Sequence, residues 1–173
     1  PTPFPLRGCK LRTESDPSDS MSKRTFHALL AALLITGCTG MPENTPDPET
    51  VTELTRCPSS PNCVSSADSD DTHAIAPIRI KGDPDAAWQT LQEILAEDGS
   101  LEVIASSDRY VRAVATTAIL RFKDDVEFLL RREDGEIEMR SASRIGYSDF
   151  GKNRKRMEGI RDEMIEAGMA NPS

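Results

Sequence analysis

Residues 122–156, FKDDVEFLLRREDGEIEMRSASRIGYSDFGKNRKR, hold two runs of β-type residues around Asp134-Gly135, then a polar turn leading into a basic helix start. Asp-Gly between alternating runs is a strong signal for a two-residue hairpin loop. With that loop as pivot, Leu130 pairs with Met139, Phe128 with Ser141, Val126 with Ser143 and Asp125 with Arg144. Side chains alternate along a strand, so the two faces separate. One face collects Phe122, Val126, Phe128, Leu130, Ile137 and Met139; the other collects Arg121, Asp125, Glu127, Arg131, Glu138, Arg140 and Arg144. Apolar on one side and ionic on the other describes an antiparallel sheet covered on one face. A one-residue slip would carry the ionic set into the core, so the pattern protects the pairing. An exposed Asp125–Arg144 pair is worth about 0.2–1 kcal/mol, and a solvated face of ordinary ion pairs is the plain reading of these charges.

Working outward from the hairpin, Ile75 to Ile80 reads as a strand with Pro77 favouring an edge. Asp83-Pro84 supplies an N-cap acid and a first-turn proline, and Ala87, Trp88, Leu91, Ile94 and Leu95 repeat on one helical face until Gly99. Leu101 to Ala105 and Tyr110 to Ile119 alternate as two more strands, joined by the polar turn at 106–109. A last helix is expected from about Phe150 to Gly168, with Met157, Ile160 and Met164 inward. The order β-α-β-β-β-β-α predicts an α+β fold: a single antiparallel sheet of about five strands, with two helices covering one face. The expected domain spans 57–170. Neither a Rossmann or P-loop glycine pattern nor a Ser-His-Asp motif occurs.

The amino-terminal part is of another kind. Residues 1–20, with Cys9, are rich in Pro, Ser and Asp and are read as lying ahead of the true start at Met21. Residues 21–37 carry a basic n-region (Lys23, Arg24) and an apolar run from Phe26 to Ile35, too short to span a bilayer comfortably. Ile35-Thr36-Gly37-Cys38 resembles the lipobox of bacterial lipoprotein signal peptides. That resemblance implies that Cys38 is acylated, with palmitate-type chains, and becomes the mature amino terminus. Two chains, at about 0.8 kcal/mol per buried methylene, make a stable anchor without a transmembrane helix. The expected place is the cell envelope, on the periplasmic side of a membrane. The chain has a formal net charge of −8, and the excess of acid lies beyond Cys38, which argues against nucleic acid as a partner.

Residues 38–56, with Pro42, Pro46, Pro48 and several acids, are expected to form a disordered tether. Next comes Cys57-Pro-Ser-Ser-Pro-Asn-Cys63. In an oxidising envelope this pair is expected to form a disulfide, whose short loop contributes roughly 2 kcal/mol on the chain-entropy model. A zinc site recruiting His73 with Asp70 or Asp71, and a redox pair, are the alternatives. Zinc prefers closer cysteine spacing and a clear fourth ligand, and a redox pair prefers C-x-x-C at a helix start. No metal or cofactor is expected.

CPSSPNCVSS at 57–66, FKDDVEF at 122–128 and RSASRIGYSDFGKNRKR at 140–156 resemble, in this order, the motifs of the domain of unknown function family 1499. The family includes bacterial envelope proteins and plastid relatives and has no established activity. The resemblance therefore implies a fold and little chemistry. Residues 101–119 match the family loosely, and the front end lies outside it.

Polar groups concentrate between Arg140 and Arg154. Ser148 or Asp149 can cap the last helix, and Gly146 and Gly151 fit a tight backbone. Lys152, Arg154, Lys155 and Arg156 oppose the helix dipole at about 0.3–1 kcal/mol each, so Asp124, Asp125 and Asp149, or a bound anion, must compensate. The candidate binding residues are Asp125, Glu127, Arg140, Arg144, Tyr147, Asp149, Asn153 and Arg154, joined in one patch from sheet end to helix start. The favoured function is a non-catalytic module that binds an anionic small molecule, a lipid headgroup or an envelope protein. An enzyme with Asp125 or Glu127 as base and Arg144 or Tyr147 stabilising charge is the second reading, and a structural or assembly role the third.

Overall fold

A computed structural model describes residues 46–172. The expected start at Met21, the signal segment 21–37, Cys38 and the first part of the tether lie outside the described residues. Along the chain run β1 (Cys63–Ser65), β2 (Ile78–Arg79), α1 (Pro84–Glu97), β3 (Leu101–Ser106), β4 (Tyr110–Thr116), β5 (Lys123–Arg131), β6 (Glu136–Ser143) and α2 (Lys152–Glu166). The six strands form one antiparallel sheet in the order β1-β6-β5-β4-β3, with β2 also on β6. This is the α+β class that the order of elements predicts. The strand expected at 75–80 keeps regular pairing only at β2, flanked by single bridges from Ala74 to Ser65 and from Ile80 to Ala170. β1 begins at the last cysteine of the loop and was not foreseen, because three residues are too few to show alternation.

The hairpin pairs two residues away from the expected register. Asp124 lies opposite Ser143, Val126 opposite Ser141, Phe128 opposite Met139 and Leu130 opposite Ile137. Asp134-Gly135 is not the whole loop but the second half of a four-residue one. Gly135 takes φ 64°, and its N–H donates to the Arg132 carbonyl at 3.3 Å, closing the turn. A shift of two leaves every side chain on its face, so alternation alone is blind to it.

Helix α1 starts as its cap residue demands: the Asp83 carboxylate accepts from the Ala86 N–H at 3.2 Å, and Pro84 follows. Ala87, Trp88, Leu91 and Leu95 bury one face. Helix α2 buries Met157, Ile160 and Met164, together with the polar Asn153 and Arg161. Both helices cover the inner face of the sheet, where Val111, Ala113, Val126, Phe128, Leu130, Ile137 and Met139 complete the core. Phe122, expected in that core, stands at the strand end and is 44% exposed.

The outer face is not bare. From residue 46 the expected tether is an ordered strap across it. Leu54, with Val51 beside it, packs on Tyr110 and Leu129 in a second small core. Strap carbonyls accept from side chains of the sheet: Pro48 from Ser107 Oγ at 3.2 Å and Thr52 from Arg131 Nη1 at 2.8 Å. The Cys57–Cys63 disulfide, with Cα atoms 5.6 Å apart, staples the end of the strap to β1. The pairing expected from the sequence is thus present, and with both sulfurs joined to each other neither is a zinc thiolate here.

Phe128→Ala is expected to lower stability by about 3–5 kcal/mol, as for an aromatic ring removed from a packed core. Leu54→Ala should cost less globally but raise amide exchange across residues 46–56, because that cluster holds only the strap. Denaturant titration and hydrogen exchange check the pair.

Candidate functional site

Asp124 and Asp125 are consecutive in a strand and therefore point to opposite faces. Each seeds a separate polar cluster. On the outer face Asp125 accepts from Arg112 Nη2 at 3.0 Å and from Arg144 Nη2 at 2.8 Å. The expected Asp125–Arg144 ion pair is thus present although Ala142, not Arg144, is the backbone partner of Asp125. Beside it Glu127 accepts from Arg140 Nη1 at 2.6 Å and from the Tyr110 hydroxyl at 2.6 Å. Tyr110 is wholly buried. Burial first, and then the Glu127 carboxylate, push its phenol far above the ordinary tyrosine range. Each carboxylate of this ladder is held by at least one arginine.

On the inner face Asp124 is 3% exposed and accepts from Arg156 Nη2 at 2.7 Å. Arg156 Nη1 donates to Ser141 Oγ at 3.0 Å and to Asn153 Oδ1 at 2.8 Å. Asn153 in turn donates through Nδ2 to the Asn62 carbonyl at 2.9 Å and to Ser143 Oγ at 3.0 Å. Asn62 Nδ2 donates to the Gly146 carbonyl at 2.7 Å. The cysteine loop, both hairpin strands and the start of α2 meet in this one network. Of its members only Asn153 was a candidate from sequence. Asp124 and Arg156 were named from sequence only as an internal acid and one of the basic residues it could compensate, and that pairing is present; Asn62, Ser141 and Ser143 were missed, although one signal existed: Asp124 falls on the core side of an alternation with Val126 and Phe128, and a buried acid requires partners.

Beyond this network lie the β4–β5 loop, 117–122, and the β6–α2 loop, 144–151. Thr117 closes the first, pairing backbone to backbone with Phe122 at 2.9 Å and accepting the Phe122 N–H on Oγ1 at 2.9 Å. Asp149 organises the second: its carboxylate accepts from the N–H of Gly151 at 3.0 Å and of Asn153 at 2.7 Å. That gives α2 its capping acid from two residues ahead of Gly151. Arg121 (φ 54°) and Phe150 (φ 56°), one in each loop, are the two non-glycine residues with positive φ among the described residues. Between the loops opens a cavity of about 490 Å³. Its walls include Ile119, Leu120, Phe122, Ile145 and Phe150, and Asp124, Ser143, Ser148, Asp149 and Lys152 supply its polar atoms.

The single patch expected from sequence is divided by the sheet. Asp125, Glu127, Arg140 and Arg144 belong to the outer ladder and Asn153 to the inner network. Asp149 lines the cavity, Tyr147 stands exposed in the same loop, and Arg154 turns aside to the Thr72 carbonyl at 3.1 Å. The charge of the basic helix start is met internally by Asp124 and Asp149. His73 bonds Asp70 Oδ1 through Nδ1 at 2.9 Å and the Ser60 carbonyl through Nε2 at 3.2 Å.

A family model described as a protein of unknown function, DUF1499, matches residues 53–164, more than half of the chain. No curated protein and no solved structure matches. The matched span contains every residue of the inner network.

Asp124→Asn strands the Arg156 charge and is expected to cost about 3–5 kcal/mol, the range for breaking a buried pair from one side. Asp125→Asn, on a more exposed pair, should cost clearly less; urea titration of both variants checks the ranking. A second expectation concerns alkaline pH. Above about pH 10 unfolded tyrosine loses its proton while Tyr110 keeps its own, so the unfolded state binds fewer protons and stability falls as pH rises. The slope from this one group approaches about 1.4 kcal/mol per pH unit, and Tyr110→Phe should remove that share of it.

Proposed function

The chain belongs to the DUF1499 family, and from that premise we propose that it is a non-catalytic binding module of the cell envelope whose end cavity takes an amphipathic ligand. The observation that carries this reading is the cavity between the two loops. Mostly apolar walls with a few placed polar groups are the usual make-up of a small-molecule site, and 490 Å³ lies within the usual size. The apolar part of the ligand sits against Leu120, Phe122 and Ile145, and its anionic group meets Lys152 at the mouth. A bound anion is not required to neutralise the helix start, since Asp149 already caps it. The anionic preference therefore rests on Lys152 and on the exposed Arg121 and Lys123 nearby.

The enzyme reading has less support. Asp125 and Glu127 are saturated by arginines and Tyr110, and Tyr147 stands in a different group from both. The envelope assignment draws on the lipobox-like Ile35-Thr36-Gly37-Cys38 and on a disulfide, which suits an oxidising compartment. In this reading the chain reaches a membrane through acyl groups on Cys38.

Two measurements test it. The wild-type full chain is expected to bind a fluorescent fatty-acid analogue saturably, and Ile145→Asp to lose that binding at an unchanged melting temperature, while Arg144→Ala keeps it. Absence of binding, or equal binding by Ile145→Asp, overturns the cavity reading. Cys38→Ser should move the protein from the membrane fraction to the soluble envelope fraction; unchanged retention and mass remove the anchor.

A further inference from the structure

Among the described residues seven large hydrophobic side chains are exposed, and six of them stand in the two loops around the cavity: Ile119, Leu120, Phe122, Ile145, Tyr147 and Phe150. Scattered single hydrophobes on a surface need no explanation, but a contiguous set at one end of a domain marks an interaction surface. A cavity ligand accounts for the groups that turn inward. It leaves Ile119, 91% exposed, and Phe150, 93% exposed, in water.

Charge identifies what covers them. The chain is acidic overall, at a formal net charge of −8, yet these loops and their flanks carry Arg121, Lys123 and Lys152 beside Arg144, which is paired with Asp125. Their one carboxylate, Asp149, is committed to the backbone of α2, and Asp124 behind them is buried against Arg156. Acid has thus been kept from one end of an acidic protein, and base has been placed around an apolar tip. Aromatic and branched apolar groups ringed by cations are the chemistry of the boundary of an anionic bilayer, where rings settle at headgroup depth and cations meet lipid phosphates.

The backbone adds an independent sign. Phe150 sits at φ 56° and Arg121 at φ 54°, a region that non-glycine residues enter at a cost. A loop that had only to turn would place glycine at such positions, as this one does at Gly146 and Gly151. Here the conformation is used to present one aromatic ring and one guanidinium outward, one from each loop.

We propose that this end of the domain docks on an anionic lipid bilayer: the apolar side chains of the two loops enter the interface, and Arg121, Lys123 and Lys152 contact lipid phosphates. The docking goes beyond the cavity reading and depends neither on a bound ligand nor on the acyl anchor.

The test uses the full chain carrying Cys38→Ser, so that no acyl chain contributes, in co-sedimentation with vesicles of phosphatidylglycerol and phosphatidylcholine or of phosphatidylcholine alone. Binding to the anionic vesicles is expected, with loss at high salt. Ile119→Asp together with Phe150→Asp should weaken it by at least about tenfold through lost apolar insertion, and Lys123→Glu with Lys152→Glu should abolish the preference for anionic lipid. All four side chains are exposed, so melting temperatures should stay near wild type and confirm folding. No sedimentation with anionic vesicles, or equal sedimentation by wild type and the Asp variant, overturns the docking. The fatty-acid probe, run without vesicles, separates the two readings: a chain that binds probe but not vesicles retains the cavity and loses the docking, and the reverse result does the opposite.

Discussion

The pairing of Asp124 with Arg156 is the constraint on which the open end of this domain depends. A carboxylate buried to this degree must be matched, and the matching guanidinium comes from the helix that follows the next strand. Exchanging such a pair for apolar groups is often neutral for stability. What it adds here is position. Arg156 can satisfy Asp124, Ser141 and Asn153 together only when the first turn of α2 sits at one place over β5 and β6. Asn153 and Asn62 then tie the cysteine loop and Gly146 to that place. The two loops that wall the cavity are thus built on a polar foundation whose members have few alternative partners.

The same logic closes the other face. Asp125, one residue on, gathers Arg112 and Arg144, while Glu127 gathers Arg140 and Tyr110. The strap lies over part of this face, and the disulfide fixes where the strap ends. Two adjacent aspartates therefore produce one interior and one exterior network, both internally satisfied at their carboxylates. The apolar side chains of the cavity end, with Lys123 and Lys152, take no part in either network.

Much of this was legible in the sequence where a periodic pattern exists. The alternation from 122 to 144 separated the faces, and the 3.6-residue repeats of α1 and α2 named their buried apolar residues but not the buried Asn153 and Arg161. The register was not legible, because a two-residue slip preserves the faces and only the φ of Gly135 and the pairing of Leu130 with Ile137 decide it. The strap was not legible either. Its composition is that of a linker, and it is held by two hydrophobic residues and by backbone carbonyls, which leave no side-chain pattern. Basic residues at 152–156 left two compensating partners open, a bound anion or the acids Asp124, Asp125 and Asp149, and only the side-chain geometry assigns the role to Asp149 and Asp124. The apolar tip was hidden for a different reason: Ile119 and Phe122 read as strand residues, and only the point at which pairing ends, at Thr116 and Lys123, releases them to solvent.

Where the strap crosses decides which end of the sheet stays open. Pro48 and Glu49 bond Ser107 and Arg109 at the β3–β4 turn, which lies at the opposite end of the sheet from the cavity. Strands β4 and β5 run between the two ends, so the strap holds the outer face without covering the loops at 117–122 and 144–151.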